Sequence, residues 1–422
     1  MSGDSNYSVS DEITPSGAPF NAGASNITVD AVNAGTRIAN AIEFAQLGDS
    51  ANINKDFALG SDIDLTGTGT VWTGPDGYTG HFYGNGYTIK GLVLSAAQIN
   101  GGFNAAGLFS SLGSGATISD FIIEVSTEDP DMNIAGIGFG GVTGYVVGEP
   151  VTIENVHVRG NLEFGSIDTF TSIGAIIGEI EQNKSAVIDR CGSELNIKVK
   201  NITNTTNNTR AVGGLLGVLK GNVEIRDSYV TGDINIKSTS NTQVKAGGLV
   251  GYLYHMGNPQ LTIDRCYAAG NIIIDCSSKI DWLDSSGTFV TGGLIGLRNA
   301  GVISASNSVA LNKKVLSIIS DTGYQNKSVT GRIIGNSGGS NTFANNAALL
   351  GMLTGFVDGS ASANNSSGDA NSYEGIGKTE TAFKSASFWM NAVPSGLGWS
   401  ADIWDFDGLN KSGADFYWPR LK

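Results

Sequence analysis

Apolar and polar positions along the middle of the chain alternate in short runs that recur in a fixed order. "TISDFIIE" (117–124), "TIENVHVRG" (152–160), "VIDRCGSELNI" (187–197), "EIRDSYVTGDINI" (224–236), "TIDRCYAAGNIII" (262–274) and "VISASNSVAL" (302–311) alternate at period two and are rich in β-branched residues. That pattern marks strands with one buried face. A glycine box precedes each run: "AGLFS" from Ala106, "GGVTG" from Gly140, "GAIIG" from Gly174, "GGLLG" from Gly213, "GGLVG" from Gly247 and "GGLIG" from Gly292, with "GRIIG" from Gly331 after them. Successive boxes start 34, 34, 39, 34, 45 and 39 residues apart, a base period of 34 with insertions of 5, 11 and 5. Helical repeat arrays share that period, but an alternation of two is not helical. Three strands of about five residues with turns fill such a unit. The pattern predicts an all-β chain, a parallel β-helix (β-solenoid) of about eight to nine coils.

Columns across the units test the stacking. Phe121, Val156, Cys191, Ser228, Cys266 and Ser306 form a small or apolar column, as interior positions should. Beside it run Asp120, Asn155, Arg190, Asp227, Arg265 and Ala305, whose alternating charge predicts stacked ion pairs along an edge. Gly213, Gly214, Gly217, Gly247, Gly248, Gly251, Gly292, Gly293 and Gly296 are expected to be structural, letting backbone approach backbone. No box continues into GK[ST] or opens a helix, so phosphate binding is not expected. Cys191 and Cys266 fall two coils apart, roughly 9–10 Å, too far for a disulfide. Buried free thiols are predicted.

Both ends change character, as an open solenoid requires if its edges are to be covered. Residues 1–25 read as a polar leader and 26–55 as an N-terminal cap. Within the cap, Ile38, Ala41, Ile42 and Ala45 at helical spacing predict an amphipathic helix near 36–47. The solenoid spans 56–350. From 351 to 422 a linker leads to an aromatic segment holding Trp389, Trp399, Trp404 and Trp418, predicted to plug the last coil.

Composition sharpens this picture at three points. Glycine contributes 60 of 422 residues, while charged residues are only 15%, a balance poor in helix formers. The net charge of −14 opposes binding to a polyanion, so nucleic acid is not an expected partner. No run of about 20 apolar residues suggests a membrane helix, and the start lacks the apolar core of an export signal. The Gly/Ser/Asn-rich lead resembles the tether that follows such a signal.

The boxes "GGLLGVL", "GGLVGYL" and "GGLIGL", the segment "DRCYAAGNI", and the flanking "LGSDIDL", "YTGHFYGNGYTIKGLVL" and "WDFDG…YWPRL" resemble the GLUG-motif repeats of bacterial surface proteins. The resemblance covers residues 26–422 and implies an exported, adhesin-like protein without enzymatic activity. It implies a monomer at the cell surface or outside it, binding a glycan or an extracellular host protein. The motif also occurs beside the catalytic domain of certain immunoglobulin A metallopeptidases. This chain lacks HExxH, and His81, His157 and His255 share no metal-ligand spacing. The later units depart from the pattern: "GRIIGNS" places Arg332 in the glycine pair of what is expected to be a distorted terminal coil.

Inserted loops are where binding residues are often found. "NITNTTNNTR" (201–210) and "DCSSKIDWLDSSG" (275–287) are those loops, and Asp281, Trp282 and Asp284 are the candidate ligand-binding residues. No catalytic or metal residues are expected. The alternative is a polysaccharide lyase or glycoside hydrolase, which needs converging carboxylates on the β-helix face. Asp62 and Asp64 are the nearest candidates, though a turn or edge role suits them better. No cofactor is expected, with Ca2+ as the option left open by "DFDGLN" (405–410) and "EDPD" (128–131).

Overall fold

The computed structural model describes residues 35–68, 71–72, 74–94, 99–100, 103–168, 170–202, 209–240, 242–276, 288–319, 328–337, 341–357, 361–413 and 416–422. One unit shows the construction. Strand Thr209–Gly213 bends at its glycines into Leu216–Leu219, turns into Asn222–Arg226, kinks, and continues as Tyr229–Val230 and Ile234–Ser238. The next unit begins at Gln243–Gly247, one layer up and in parallel register. The chain is a parallel β-solenoid with three walls: two short ones meeting at the glycine box, and a long kinked one.

Among the described residues, seven parallel strands stack in the wall that follows the box, from Phe109–Leu112 to Ile334–Ser337. Seven layers make six turns from first to last, fewer than the eight or nine coils expected. The difference lies at the N-terminal end. There Thr36–Ile38, Phe57–Leu59 and His81–Tyr83 stack beneath Thr117–Thr127 on the long wall. These layers extend that wall without a full set of the other two.

The long wall explains its own kink. In Val151–Phe164, residues Val151 and Ile153 point inward, and so do Val156 and Val158. The alternation therefore slips by one residue at Asn155, whose φ of +52° absorbs the extra position. The same left-handed step occurs at Asn85, Asp120, Arg190, Asp227, Arg265, Asn307 and Asn345. Asn and Asp tolerate it because their short polar side chains bond locally. Inside the kink, Cys191, Ser228, Cys266 and Ser308 are fully buried, and Cys191, Cys266 and the remaining cysteine, Cys276, are free thiols. Ser228 Oγ accepts from Cys191 N at 3.0 Å, and Ser308 Oγ accepts from Cys266 N at 3.1 Å.

Two column assignments change. Ile263 pairs with Ala305 rather than with Ile303. Ala305 is thus an interior residue, and Asn307 and Ser308 take the places predicted for Ala305 and Ser306. The edge is also less regular than a chain of ion pairs. Arg265 grips Asp227 with two bonds of 2.8 and 2.7 Å, and Asn155 donates to Asp120 at 2.9 Å. Arg190 instead turns to Glu154 and Asp189, within its own and the preceding layer.

At the N-terminal end the helix is shorter than predicted. Residues 36–38 are a strand, Ala41–Phe44 form one helical turn, and Ala45–Gly48 tighten into a 3-10 turn. The cap decides the start: Asn40 Oδ1 accepts from Ile42 N and Glu43 N, while Glu43 Oε2 reaches back to Ala39 N. Ile42, expected on the buried face, is 84% exposed, and Phe44 and Leu47 are buried in its stead.

The C-terminal end corrects a second expectation. The last coil is covered by Ala361–Asn364, antiparallel to Met352–Val357, and by Ile376–Lys378, which adds to Ala347–Leu349. Backbone edges need backbone partners, and rings cannot supply them. Arg332 is fully buried and ties this cover down, donating to Glu374 Oε2, Ser366 O and Gly375 O. Gly331 still pairs with Gly292, so that coil keeps its register.

The aromatic segment lies along the flank of the long wall and not over its end. Trp399 Nε1 donates to Asn307 O, Trp404 Nε1 to Asp227 Oδ1, and Tyr267 Oη to Pro419 O. Trp389, Trp399 and Trp404 are essentially buried, packed over the stacked rings of Tyr229 and Tyr267, whose centroids lie 5.4 Å apart.

Candidate ligand groove at the glycine corner

The glycine boxes line up as predicted, Gly213 beside Gly247 and Gly247 beside Gly292. Their reason is close approach. A Cβ on Gly213 would lie 2.0 Å from Leu216 O, one on Gly214 2.0 Å from Gly248 O, and one on Gly217 2.6 Å from Gly178 O. Gly248 meets Gly293 O in the same way, and Gly251 and Gly296 meet the carbonyls of Gly217 and Gly251. The chain folds back so sharply that outward residues of the two short walls face each other. Four successive coils show the same pairing at seven-residue spacing. A Cβ on Gly138 would strike the Tyr145 ring; Ser172 Oγ donates to Glu179 Oε2 at 3.3 Å; Ala211 packs with Val218; Lys245 Nζ sits 5.9 Å from the Tyr252 ring centre. The corner is re-entrant, and a groove runs along the solenoid outside its main core.

The depth of the groove follows from two ladders. One wall stacks Gly138, Ser172, Ala211 and Lys245, and the other stacks Tyr145, Glu179, Val218 and Tyr252. Where glycine, serine and alanine face the bulkier wall, a cavity of about 250 Å3 opens. Where Lys245 faces Tyr252, the groove is filled. At the lip stand Phe170 and Met256, each more than half exposed.

Charge in the groove is arranged with care for burial. Glu179 is only 4% exposed and forms an ion pair with Lys220. Burial lifts the Glu179 carboxyl above its usual range. Burial also works against the Lys220 charge, yet Glu179 and Glu181 hold that ammonium above its ordinary value. Lys220 further lies 5.5 Å from the Tyr254 ring centre. One coil on, Lys245 is buried, and among the described residues its ammonium bonds neutral oxygens, Gln243 Oε1 at 2.9 Å and Thr288 Oγ1 at 3.4 Å. Burial, with Arg210 nearby, pushes its pKa down to about 7.

Asp281, Trp282 and Asp284 lie outside the described residues, as do residues 203–208 of the other loop. Asp62 and Asp64 do serve the first coils: Asp62 Oδ1 accepts from Thr88 N and Asp64 Oδ1 from Thr66 N. In "EDPD", Asp131 binds Lys200 and Asp129 Oδ1 accepts from Asp131 N. In "DFDGLN", Asp405 accepts from Asp407 N and Tyr417 Oη. His157 is half-buried beside Tyr229 and His81 bonds Tyr83, in different layers. Among the described residues no group of three or more His, Cys, Asp or Glu is placed to hold a metal ion, and no helix is long and apolar enough to cross a membrane. The groove itself was missed because no single unit displays it. Its signal is the small residue two places before Gly140, Gly174 and Gly213, opposite a larger one seven places on.

No protein-family model and no curated protein matches the chain. Two solved structures match the chain. A crystal structure of a candidate immunoglobulin A1 protease from Bacteroides ovatus matches with a TM-score of 0.54 and 16% identity over 92% of each chain. A second, named IgA1 protease, has a TM-score of 0.45 and 18% identity; 74% of this chain aligns with 21% of that one. At such identity the likeness to the first extends to the β-solenoid fold.

Proposed function

We propose that this solenoid is an exported, adhesin-like binding protein of the GLUG-repeat kind, without catalytic activity, that captures a glycan or an extracellular host protein. The observation that carries the reading is the groove: a surface cavity with aromatic and apolar lips whose most buried acid, Glu179, is committed to Lys220. A ligand site is concave, largely apolar and furnished with a few oriented polar groups, which this one is. Glycoside hydrolysis asks instead for two carboxyl groups free to act as acid and as base or nucleophile across one bond. Asp62 and Asp64, the pair singled out for that chemistry, are taken up by backbone amides. The similar solved structure bears a protease name, so turnover is measured alongside retention.

The test uses the full chain on an array of glycans and purified extracellular matrix proteins, with turnover assays on the same glycans. Retention without product release is expected. Product release, or retention of nothing on the array, would overturn the reading. Trp282→Ala beside Phe170→Ala then separates the inserted loop from the groove as the site of contact.

A further inference from the structure

We infer that the groove cavity is a saccharide subsite that takes one uncharged pyranose unit of a glycan. This rests on the binding reading above and narrows it to a ligand class.

Size is the first argument. About 250 Å3 falls just below the roughly 300–1,000 Å3 of drug-sized sites, room for one ring rather than a folded peptide. Lys245 and Tyr252, packed against each other in the next layer, are both buried and do not line it.

Charge is the second. Glu179 and Lys220 neutralise each other, and Glu181 at the mouth leaves one negative charge in excess. A uronate or sialate carboxylate would meet that excess, and it would need Lys220 to abandon a buried partner. A cationic side chain would meet the Lys220 ammonium. A neutral hydroxylated ring avoids both costs, because each hydroxyl can donate to a carboxylate or accept from an ammonium. The remaining polar lining is neutral: Thr171, Thr209, Gln182 and the Tyr145 and Tyr254 hydroxyls.

The third argument is Phe170. It has φ of +53° and is 54% exposed, so a large ring is held at the lip with more than half of its surface in solvent. Positive φ at a bulky residue is uncommon and unfavourable. An aromatic face there offers the apolar C–H face of a sugar ring a platform, while Glu181 and Gln182 line the same cavity.

The experiment is calorimetric titration of the full chain with neutral oligosaccharides of mannose, galactose, glucose and N-acetylglucosamine. Polygalacturonate, hyaluronan and sialyl-lactose form the acidic arm, and purified matrix proteins a third. At least one neutral oligosaccharide is expected to bind, and Phe170→Ala should weaken it about tenfold with an unchanged melting temperature. Gln182→Ala, also at the lip, should weaken it less. Binding confined to acidic glycans overturns the inference. Neutral binding that neither variant alters overturns the placement in the groove, with the binding reading intact. Matrix-protein binding with no glycan binding overturns the saccharide class alone. Cleavage of a glycan overturns both.

Discussion

Two corners of the solenoid repeat in every coil and meet opposite fates. At the glycine corner the chain folds back on itself and leaves a groove that stays open to solvent over several coils. At the left-handed corner of the long wall, the chain's own C-terminal segment lies across Asn307, Tyr267, Asp227 and Tyr229 and buries three tryptophans. The covered corner presents flat stacked tyrosines and an Asp–Arg pair, and a shape so regular is readily matched by intramolecular rings. The open corner presents a wall whose residues change from coil to coil, small at three layers and then filled by lysine. Regular columns are structural, and the place where a column changes is where a pocket can form.

The largest expected effect breaks the covered corner. Trp404→Ala removes a ring buried between Trp399 and Tyr229 and leaves a cavity, which should cost about 3–5 kcal/mol. Urea unfolding should show it, either as a lower midpoint or as an early transition of the C-terminal segment. No change would mean that the segment does not sit on the flank.

Next comes the open corner's backbone. Gly213→Ala forces a methyl against Leu216 O and Gly251 N, neither of which is a flexible side-chain end. A loss of about 1–3 kcal/mol is expected. Gly77→Ala is its control: φ there is +72° with open space around it, so only the left-handed penalty of about 1 kcal/mol remains. Equal losses at the two sites would refute close approach as the reason for the boxes.

Lys245 separates the filled part of the groove from the open part. Its folded value of about 7 lies below the 10.5 of an unperturbed lysine. Between those values the unfolded chain binds more protons, so this group makes stability rise as pH climbs from about 7 toward 10.5. Its penalty is present in full below pH 7. Lys245→Met should raise stability at pH 7 by about 1–3 kcal/mol and remove that slope, as denaturation midpoints measured from pH 6 to 10 would reveal. The smallest effect belongs to Phe170→Ala, which should change stability by less than about 0.5 kcal/mol. A large loss would make that ring structural.

How much was legible follows from what each residue answers to. The free, buried state of Cys191 and Cys266 could be read because both occupy the same place in a repeat of known rise. Ala305 was misplaced because Ile303 and Ala305 share a parity and either continues the alternation. Only the hydrogen-bond register distinguishes them. The helix near 36–47 was overextended because spacing alone does not show that Asn40 caps it. Arg332 looked like an error in the motif, and its partner Glu374 lies 42 residues on, in a segment with no repeat to place it.

What the linear order of residues determined here is everything periodic: strand alternation, the glycine column, parallel stacking, the buried thiols. Each unit of such a fold meets only its neighbours, so local pattern and period suffice. Tertiary structure alone decided which way the glycine corner bends, which outward residues therefore face one another, and where the tryptophans come to rest. Those depend on contacts between walls and between distant segments, and no repeat encodes them.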